Sequence, residues 1–443
     1  MVGLPYSKPG LGFTLLRGNC FADCLQIIPA IYGQRIPPTG YRHHFMPLRV
    51  YLDSSDYSTL SDPGKASREV PGVLEELLSF KDSGKVNFYF SAAHLTEMAP
   101  VQSTYTSAAV QRTNMLADLC GGNCMIHLQT LFKEEVRAAL GLSSGCVNPF
   151  DHNGRWFPEG ACEMLPITET DHLQSIQSTI EAVLPNATRA QKRQAKRLMT
   201  KGRKVRPTLR STLLRNVERQ DLDEILAVFP MRQDAARTLA LYVAGGATAA
   251  EATGAYEASL RDPRWMMQWF EKHHGDLTPF VSWARGPAAD ITGKMRELSR
   301  LVESLRANPM LNSEFLTSIY GSSKWEEWQE NMLIGIGNLF AEELKPGAKL
   351  KTAEIDTHCP GLSTGIRTLH TSWRSITFAK PRKPKDSDFV DALHAVYAPY
   401  VDVFRADGFM ADYVSKQVIR FPTLVVPKLS ELPEALRRRL ATT

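Results

Sequence analysis

The chain has 443 residues, 43% hydrophobic and 22% charged, which is ordinary globular composition with enough apolar residues for a sizeable core. Its net charge of +5 is too mild to mark a nucleic-acid binder by itself. No run of about 18 apolar residues exists to span a membrane. The length suits two or three domains of about 100–200 residues each. Seven cysteines, an odd count in so long a chain, read as reduced thiols of a cytoplasmic protein.

Residues 1–45 scatter Gly, Pro, Tyr and Cys without sustained periodicity, and lack the basic start and apolar core of a secretory signal. They read as a loosely ordered or upstream-translated extension, with Met46 as the natural start. Leu48 to Asp53 reads as a buried strand with its charge at the end, followed by a helix that begins near Ser58. Gly72 to Phe80 has helical spacing, Val86 to Phe90 is a strand of aromatic and β-branched residues, and Ser91 opens a helix that carries Glu97. This βαβα opening is the signature of a parallel sheet covered by helices.

From 101 to 380 strand-like runs are scarce. Helices are expected over Ser107–Leu119, Met125–Leu140, Gln174–Val183, Ala187–Thr200, Asp221–Val228, Arg232–Val243, Ile291–Leu305 and Trp325–Leu344, the last broken by Pro346-Gly347. Lys380 to Lys385 is a basic, Pro-broken linker. Asp388 then opens a helix, Val401–Phe404 and Thr423–Val426 are strands, and Leu432–Leu440 is a terminal helix. The expected fold class is therefore α/β: a parallel sheet with flanking helices, built from residues 46–100 and 381–443 and interrupted by a mostly α-helical insertion at 101–380.

Four acidic stations recur at the ends of these elements. Asp53 ends the first strand, Glu97 lies on the helix after the second, Asp388 and Asp391 lie on a later helix, and Asp407 follows the strand after it. Strands of an open α/β sheet deliver side chains to its carboxyl edge, where such folds place their sites. Carboxylates gathered there repel one another unless a divalent cation sits between them. Mg²⁺ or Mn²⁺ held by carboxylates activates water and polarises phosphodiesters. Each residue also has an ordinary reading. Asp53 and Asp388 can cap helices, Glu97 can be solvated, and Asp407-Gly408 can be a turn. Asp56 reads as the cap of the helix after Asp53, and His94 as a packed residue. Asp391 and His394, spaced i and i+3, share a helix face that either points at a metal or lets Asp391 orient His394. Asp402, at the start of its strand, should point away.

The order and strand context of Asp53 with Ser55, Glu97, Asp388 and Asp407 resemble the PIN-domain nucleases over roughly residues 46–100 and 385–435. The family pattern is a strand ending in Asp, a Glu on a helix, an Asp near the start of a later helix, and a last Asp after a strand. The resemblance implies a PIN-like fold, a Mg²⁺ or Mn²⁺ cofactor, and hydrolysis of RNA by a metal-activated water. Asp53, Glu97, Asp388 and Asp407 would be the metal ligands, with Asp391 competing with Asp388 for the third place. Two departures stand beside it: the long insertion between the second and third stations, and that ambiguity.

The insertion also holds a dense basic run. Lys192 with Lys196, and Arg193 with Arg197, repeat at i, i+4, and Arg203 and Lys204 follow. Such a stripe suits RNA or a single-stranded nucleic acid, or is simply a solvated charged helix. Trp265 and Trp269 sit beside Met266, Met267 and Phe270, which favours a buried helix over a stacking platform. Cys20–Cys24, Cys120–Cys124 with His127, and Cys146, His152 and Cys162 offer zinc-ligand types, but no spacing fixes a four-ligand site, so buried thiols are the reading. No Walker loop, dinucleotide fingerprint or nucleophile elbow is present. The rival to a nuclease is a catalytically inactive nucleic-acid-binding or scaffold protein on a PIN-like fold. A homodimer or a protein inhibitor would leave no signature in a single chain.

Overall fold

The computed structural model describes residues 46–442, apart from 101, 144–146, 158–186, a number of positions between 202 and 230, and 245, 273, 308–321, 380–382 and 386. The extension 1–45, Arg203, and the expected helix over Gln174–Val183 lie outside the described residues, as does most of Asp221–Val228.

The first segment runs β1 (Leu48–Tyr51), α1 (Ser54–Leu60), α2 (Pro63–Glu69), α3 (Val73–Asp82), β2 (Val86–Tyr89) and α4 (Ala92–Met98). The chain continues through α5 (Thr106–Cys120), β3 (Cys124–Met125), α6 (Leu128–Ala139) and β4 (Phe150–Asp151). Next come α7 (Arg189–Met199), a β5–β6 hairpin (Thr200–Lys201 with Lys204–Val205), α8 (Gln233–Val243), α9 (Ala249–Leu260), α10 (Pro263–Lys272) and α11 (His274–Ala307). Then follow α12 (Ser322–Leu344), α13 (Thr352–His358) and α14 (Pro360–Arg374). The last segment is α15 (Ser387–Ala395), β7 (Val403–Arg405), α16 (Ala411–Gln417), β8 (Leu424–Val426) and α17 (Leu432–Thr442).

The two outer segments meet in one four-stranded sheet of order β2-β1-β7-β8. Every pairing in it is parallel, with Val50 opposite Phe88 on one side and Val403 on the other. The junction of β1 with the start of β7 is clasped by a two-pronged ion pair. Arg49 Nε and Nη2 each donate to Asp402 at 3.0 Å, and the Arg49 and Asp402 main chains bond as well. Asp402 thus points away from the carboxyl edge, as expected. A fork-to-fork pair of this kind fixes direction and register together.

Both faces of the sheet are covered, as parallel strands require. Alternation along β1 sends Leu48, Val50 and Leu52 to one core and Tyr51 to the other. Val86, Phe88, Val403 and Val426 follow the first set, and Tyr89 and Phe404 the second. The first core is closed by α3, α5, α8, α10 and α17, the second by α6, α12, α14 and α16. The middle of the chain is mostly helical where described, but its helices contribute directly to both cores. Among the described residues from 46 to 442, the middle segment and the sheet belong to one compact unit.

The structure differs from the sequence reading in several places: α1 starts at Ser54 rather than near Ser58, and α2, α9 and α13 were not expected. Cys124–Met125 does not begin a helix. It is a short strand that pairs with β4 and meets Phe90 through a single parallel bridge. And α14 has no counterpart among the expected helices. The buried face of α10, with Met266, Met267, Trp269 and Phe270, lies in the first core, so Trp269 is a packing residue. Among the described residues no helix is long and apolar enough to cross a membrane.

Candidate active site: a carboxylate cleft at the sheet edge

Because β1 and β7 are parallel, the residues that follow them emerge at the same edge. Asp53 leaves β1 as the N-cap of α1, its Oδ1 accepting the Ser55 amide at 2.7 Å. Asp56 returns the bond, accepting the Asp53 amide at 3.1 Å and completing a capping box. The cap is therefore Asp53 itself, its ordinary reading, and Asp56, expected as the cap, supports it from the third helical position. Asp56 is buried and bound to Arg405 Nη2 of β7 at 2.7 Å. Burial, only partly offset by Arg405, pushes its carboxyl up to about 7. Arg405 also donates to the Ala406 carbonyl. This buried pair ties the start of α1 to the end of β7, beneath the cleft.

Asp407 follows β7 and accepts the Met410 amide at 2.6 Å, which shapes the turn into α16. Its carboxyl is nevertheless raised, by burial first and then by the charge of Asp53. Glu97 comes from α4, whose start is held by Ser91 and His94. His94 Nδ1 accepts the Ser91 amide at 3.1 Å, and its Nε2 lies 2.9 Å from the Leu52 carbonyl. Fully buried and facing His394, His94 is held neutral, its pKa well below the usual imidazole value. It is a packed, satisfied residue, as expected.

Helix α15 resolves the choice left open by the sequence. Asp53, Glu97, Asp391 and Asp407 line one cleft of about 290 Å³, together with Ser54, Ser55 and Arg112 of α5. Asp388 does not line it. That carboxylate is buried at the start of α15, where it accepts the Lys385 amide at 2.7 Å. Of the two candidates for the third place, it is Asp391, one helical turn on, that takes the cleft position. Burial raises the Asp391 carboxyl well above the usual range, reinforced by Asp53, Glu97, Asp407 and Asp388 in that order. Among the described residues no three His, Cys, Asp or Glu side chains close into a ready-made metal cage. The carboxylates share the cleft without meeting at a point.

The sequence reading missed Tyr51, Arg405 and Arg112 around this cleft, and offered His394 only as a partner for Asp391. His394, on the Asp391 face of α15, does not pair with Asp391. Its Nε2 lies 3.2 Å from Glu97 Oε2 and 3.2 Å from Ser54 Oγ, and its Nδ1 lies 2.7 Å from the Tyr51 hydroxyl. The i, i+3 spacing of Asp391 and His394 was the visible signal. Tyr51 and Arg405 gave none, because both read as strand residues.

The remaining predicted residues lie elsewhere. Lys192, Arg193, Lys196 and Arg197 are exposed or half-buried on α7, and Lys204 lies in β6. Cys120 and Cys124 are buried thiols, each pushed up to about 12 by burial. Cys120 pairs with the Tyr57 hydroxyl at 3.2 Å, and Cys124 donates to the Asp151 carbonyl at 3.4 Å. Compared with protein-family models, curated proteins and solved structures, the chain matches none.

Proposed function

We propose that this chain is a PIN-like, Mg²⁺- or Mn²⁺-dependent endoribonuclease. One observation carries the reading: four carboxylates from four separate elements face one cleft at the carboxyl edge of a parallel sheet. Carboxylates crowded into one partly buried cleft repel one another, and such crowding is found most often at functional sites. The donor set is entirely oxygen, which fits a hard divalent cation rather than zinc.

Asp53, Asp391, Asp407 and Glu97 would hold the ion. When bound, it supplies Lewis-acid polarisation of a phosphodiester and a water acidic enough to attack near neutral pH. The chain's own part is positioning. The Ser55 amide fixes Asp53, and the Met410 amide fixes Asp407. Arg112, half-buried on the cleft wall, presents a guanidinium suited to a phosphate oxygen. No side chain needs to act as nucleophile. The α7 stripe supplies the electrostatic footprint for single-stranded RNA. A cytosolic setting fits the free thiols Cys120, Cys124 and Cys359. The catalytically inactive alternative would have a Lys or Arg pair with the carboxylates at the metal position; Arg405 is bound to Asp56 beside the cleft, and Arg112 lines it.

Asp53→Asn keeps size and removes charge. It should abolish cleavage of single-stranded RNA in Mg²⁺ or Mn²⁺ while leaving the far-UV circular dichroism unchanged, and EDTA should reproduce the loss in the unmutated protein. Cleavage that survives both treatments would remove the metal-nuclease reading.

A further inference from the structure

Behind Glu97 lies a chain of hydrogen bonds that the cleft chemistry does not by itself require. Ser91 Oγ, Tyr51 Oη and His394 Nδ1 follow one another at 2.6 and 2.7 Å, and His394 Nε2 then reaches Glu97 Oε2 at 3.2 Å. All but Glu97 are buried: Tyr51 and Ser91 have no exposed surface, and His394 is 3% exposed.

One proton order gives every group in this chain a partner. Ser91 Oγ accepts the Ala93 amide at 3.3 Å, which leaves its own proton for Tyr51. The Tyr51 hydroxyl, accepting from Ser91, gives its proton to His394 Nδ1. An un-ionised phenol carries one O–H, and the 2.7 Å contact aims it at His394 Nδ1. With Nδ1 accepting, the ring proton sits on Nε2, where the Glu97 carboxylate and Ser54 Oγ each lie at 3.2 Å and the charged carboxylate is the stronger acceptor. The reverse order in a neutral ring would aim a lone pair at that carboxylate. The ring is also fixed sterically. It stands edge-on to His94 at 4.6 Å and to Tyr51 at 5.6 Å between centroids.

We infer that His394 is a positioning residue, oriented by Tyr51 and Ser91, whose Nε2–H holds the Glu97 carboxylate in the ligating pose for the divalent cation. This rests on the metal-nuclease reading above. Glu97 sits near the end of a seven-residue helix, and among the cleft carboxylates the hydrogen bonds seen for Asp53 and Asp407 come from backbone amides, whereas His394 supplies Glu97 with a side-chain donor. Outer-shell hydrogen bonds of this kind typically change metal affinity about 10–100-fold when removed.

The test measures MnCl₂ binding to the full chain by electron paramagnetic resonance or calorimetry, without RNA. Gln places an amide N–H₂ near the position of Nε2, and Asn places its amide near Nδ1. His394→Gln should therefore keep Mn²⁺ affinity within a few-fold, and His394→Asn should lose it by about 10–100-fold. Tyr51→Phe, which removes the hydroxyl that selects the tautomer and keeps the ring, should weaken binding in the same direction and serves if His394→Asn does not fold. A general loss of packing would not separate Gln from Asn. If the unmutated chain binds Mn²⁺ and all three variants bind it equally well, the positioning role is overturned and the metal reading stands. If the unmutated chain binds no Mn²⁺, the metal reading falls and the inference falls with it.

Discussion

Replacing Glu135 with Gln should flatten the pH dependence of stability by an amount the structure allows to be worked out. Glu135 lies on α6 with no exposed surface. It accepts the Gly361 and Leu362 amides at 2.6 and 3.0 Å, at the start of α14, and the Tyr400 hydroxyl. Burial outweighs those donors and pushes its carboxyl from an ordinary 4.5 up to about 7. The folded state therefore holds this proton more tightly than the unfolded chain. The resulting stability is complete below pH 4.5 and is lost as pH rises through 7. The whole window is worth about 3.4 kcal/mol at ~1.36 kcal/mol per unit, of which about 2 kcal/mol falls between pH 8 and pH 5.5. For a cooperative unit of this size the unfolding entropy is roughly 0.8 kcal/mol/K, so the shift in melting temperature is about 2 °C. Gln has no proton to lose. The amide it places against the Leu362 N–H costs stability equally at both pH values and cancels in the comparison. Scanning calorimetry of both proteins at pH 5.5 and 8 should show the pH-induced difference narrowed by about 2 °C in Glu135→Gln. Asp56, also raised to about 7, contributes in the same direction and is untouched by the substitution, so some slope should survive. An unchanged slope would refute the burial argument.

Asp391→Asn should raise the melting temperature of the cation-free protein at pH 8, because it removes a half-buried charge that shares the cleft with Asp53, Glu97 and Asp407. The same variant should lose at least about tenfold in Mn²⁺ affinity, read by calorimetry. Reversing the charge of Lys192, Arg193, Lys196 and Arg197 together should weaken single-stranded RNA binding. The log–log salt slope should fall by about 0.7 for each phosphate no longer neutralised, and fluorescence anisotropy at several salt concentrations measures both.

The sheet was legible because its strands carry two signals at once. Leu48 to Asp53 and Val86 to Phe90 alternate between two cores and end against polar residues, so period and boundary agree. Helix α14 was not legible. It carries Gly361, Gly365 and several Ser and Thr residues, all weak helix formers. Tertiary packing selects them. A Cβ at Gly361 would lie 2.9 Å from the Val396 carbonyl oxygen, and one at Gly365 would lie 2.5 Å from a Val396 methyl. The helix start is completed by Glu135, a residue 226 positions away. Sequence also set the boundaries of an insertion at 101 and 380, where the periodicity changes. It did not show that α5, α6 and α12 would close the two cores of the sheet, since the partner of an apolar helix face is not written in its spacing.

At the cleft, Asp53, Glu97 and Asp407 were legible as acids at element ends. Asp391 and Asp388 are one helical turn apart and equivalent by pattern. In the fold the Lys385 amide engages Asp388, while Asp391 lines the cleft. The Tyr51–His394–Glu97 chain joins residues from three distant segments and has no local signature.

The central claim, that this cleft holds a catalytic divalent cation, is tested most directly by anomalous diffraction from crystals soaked in MnCl₂. The account predicts a Mn²⁺ peak coordinated by Asp53 and Asp391, with Glu97 or Asp407 completing the protein ligands, and no peak in crystals of Asp53→Asn. Crystals saturated with Mn²⁺ that show no peak in the cleft, or whose peak survives Asp53→Asn with the remaining ligands unmoved, would contradict it.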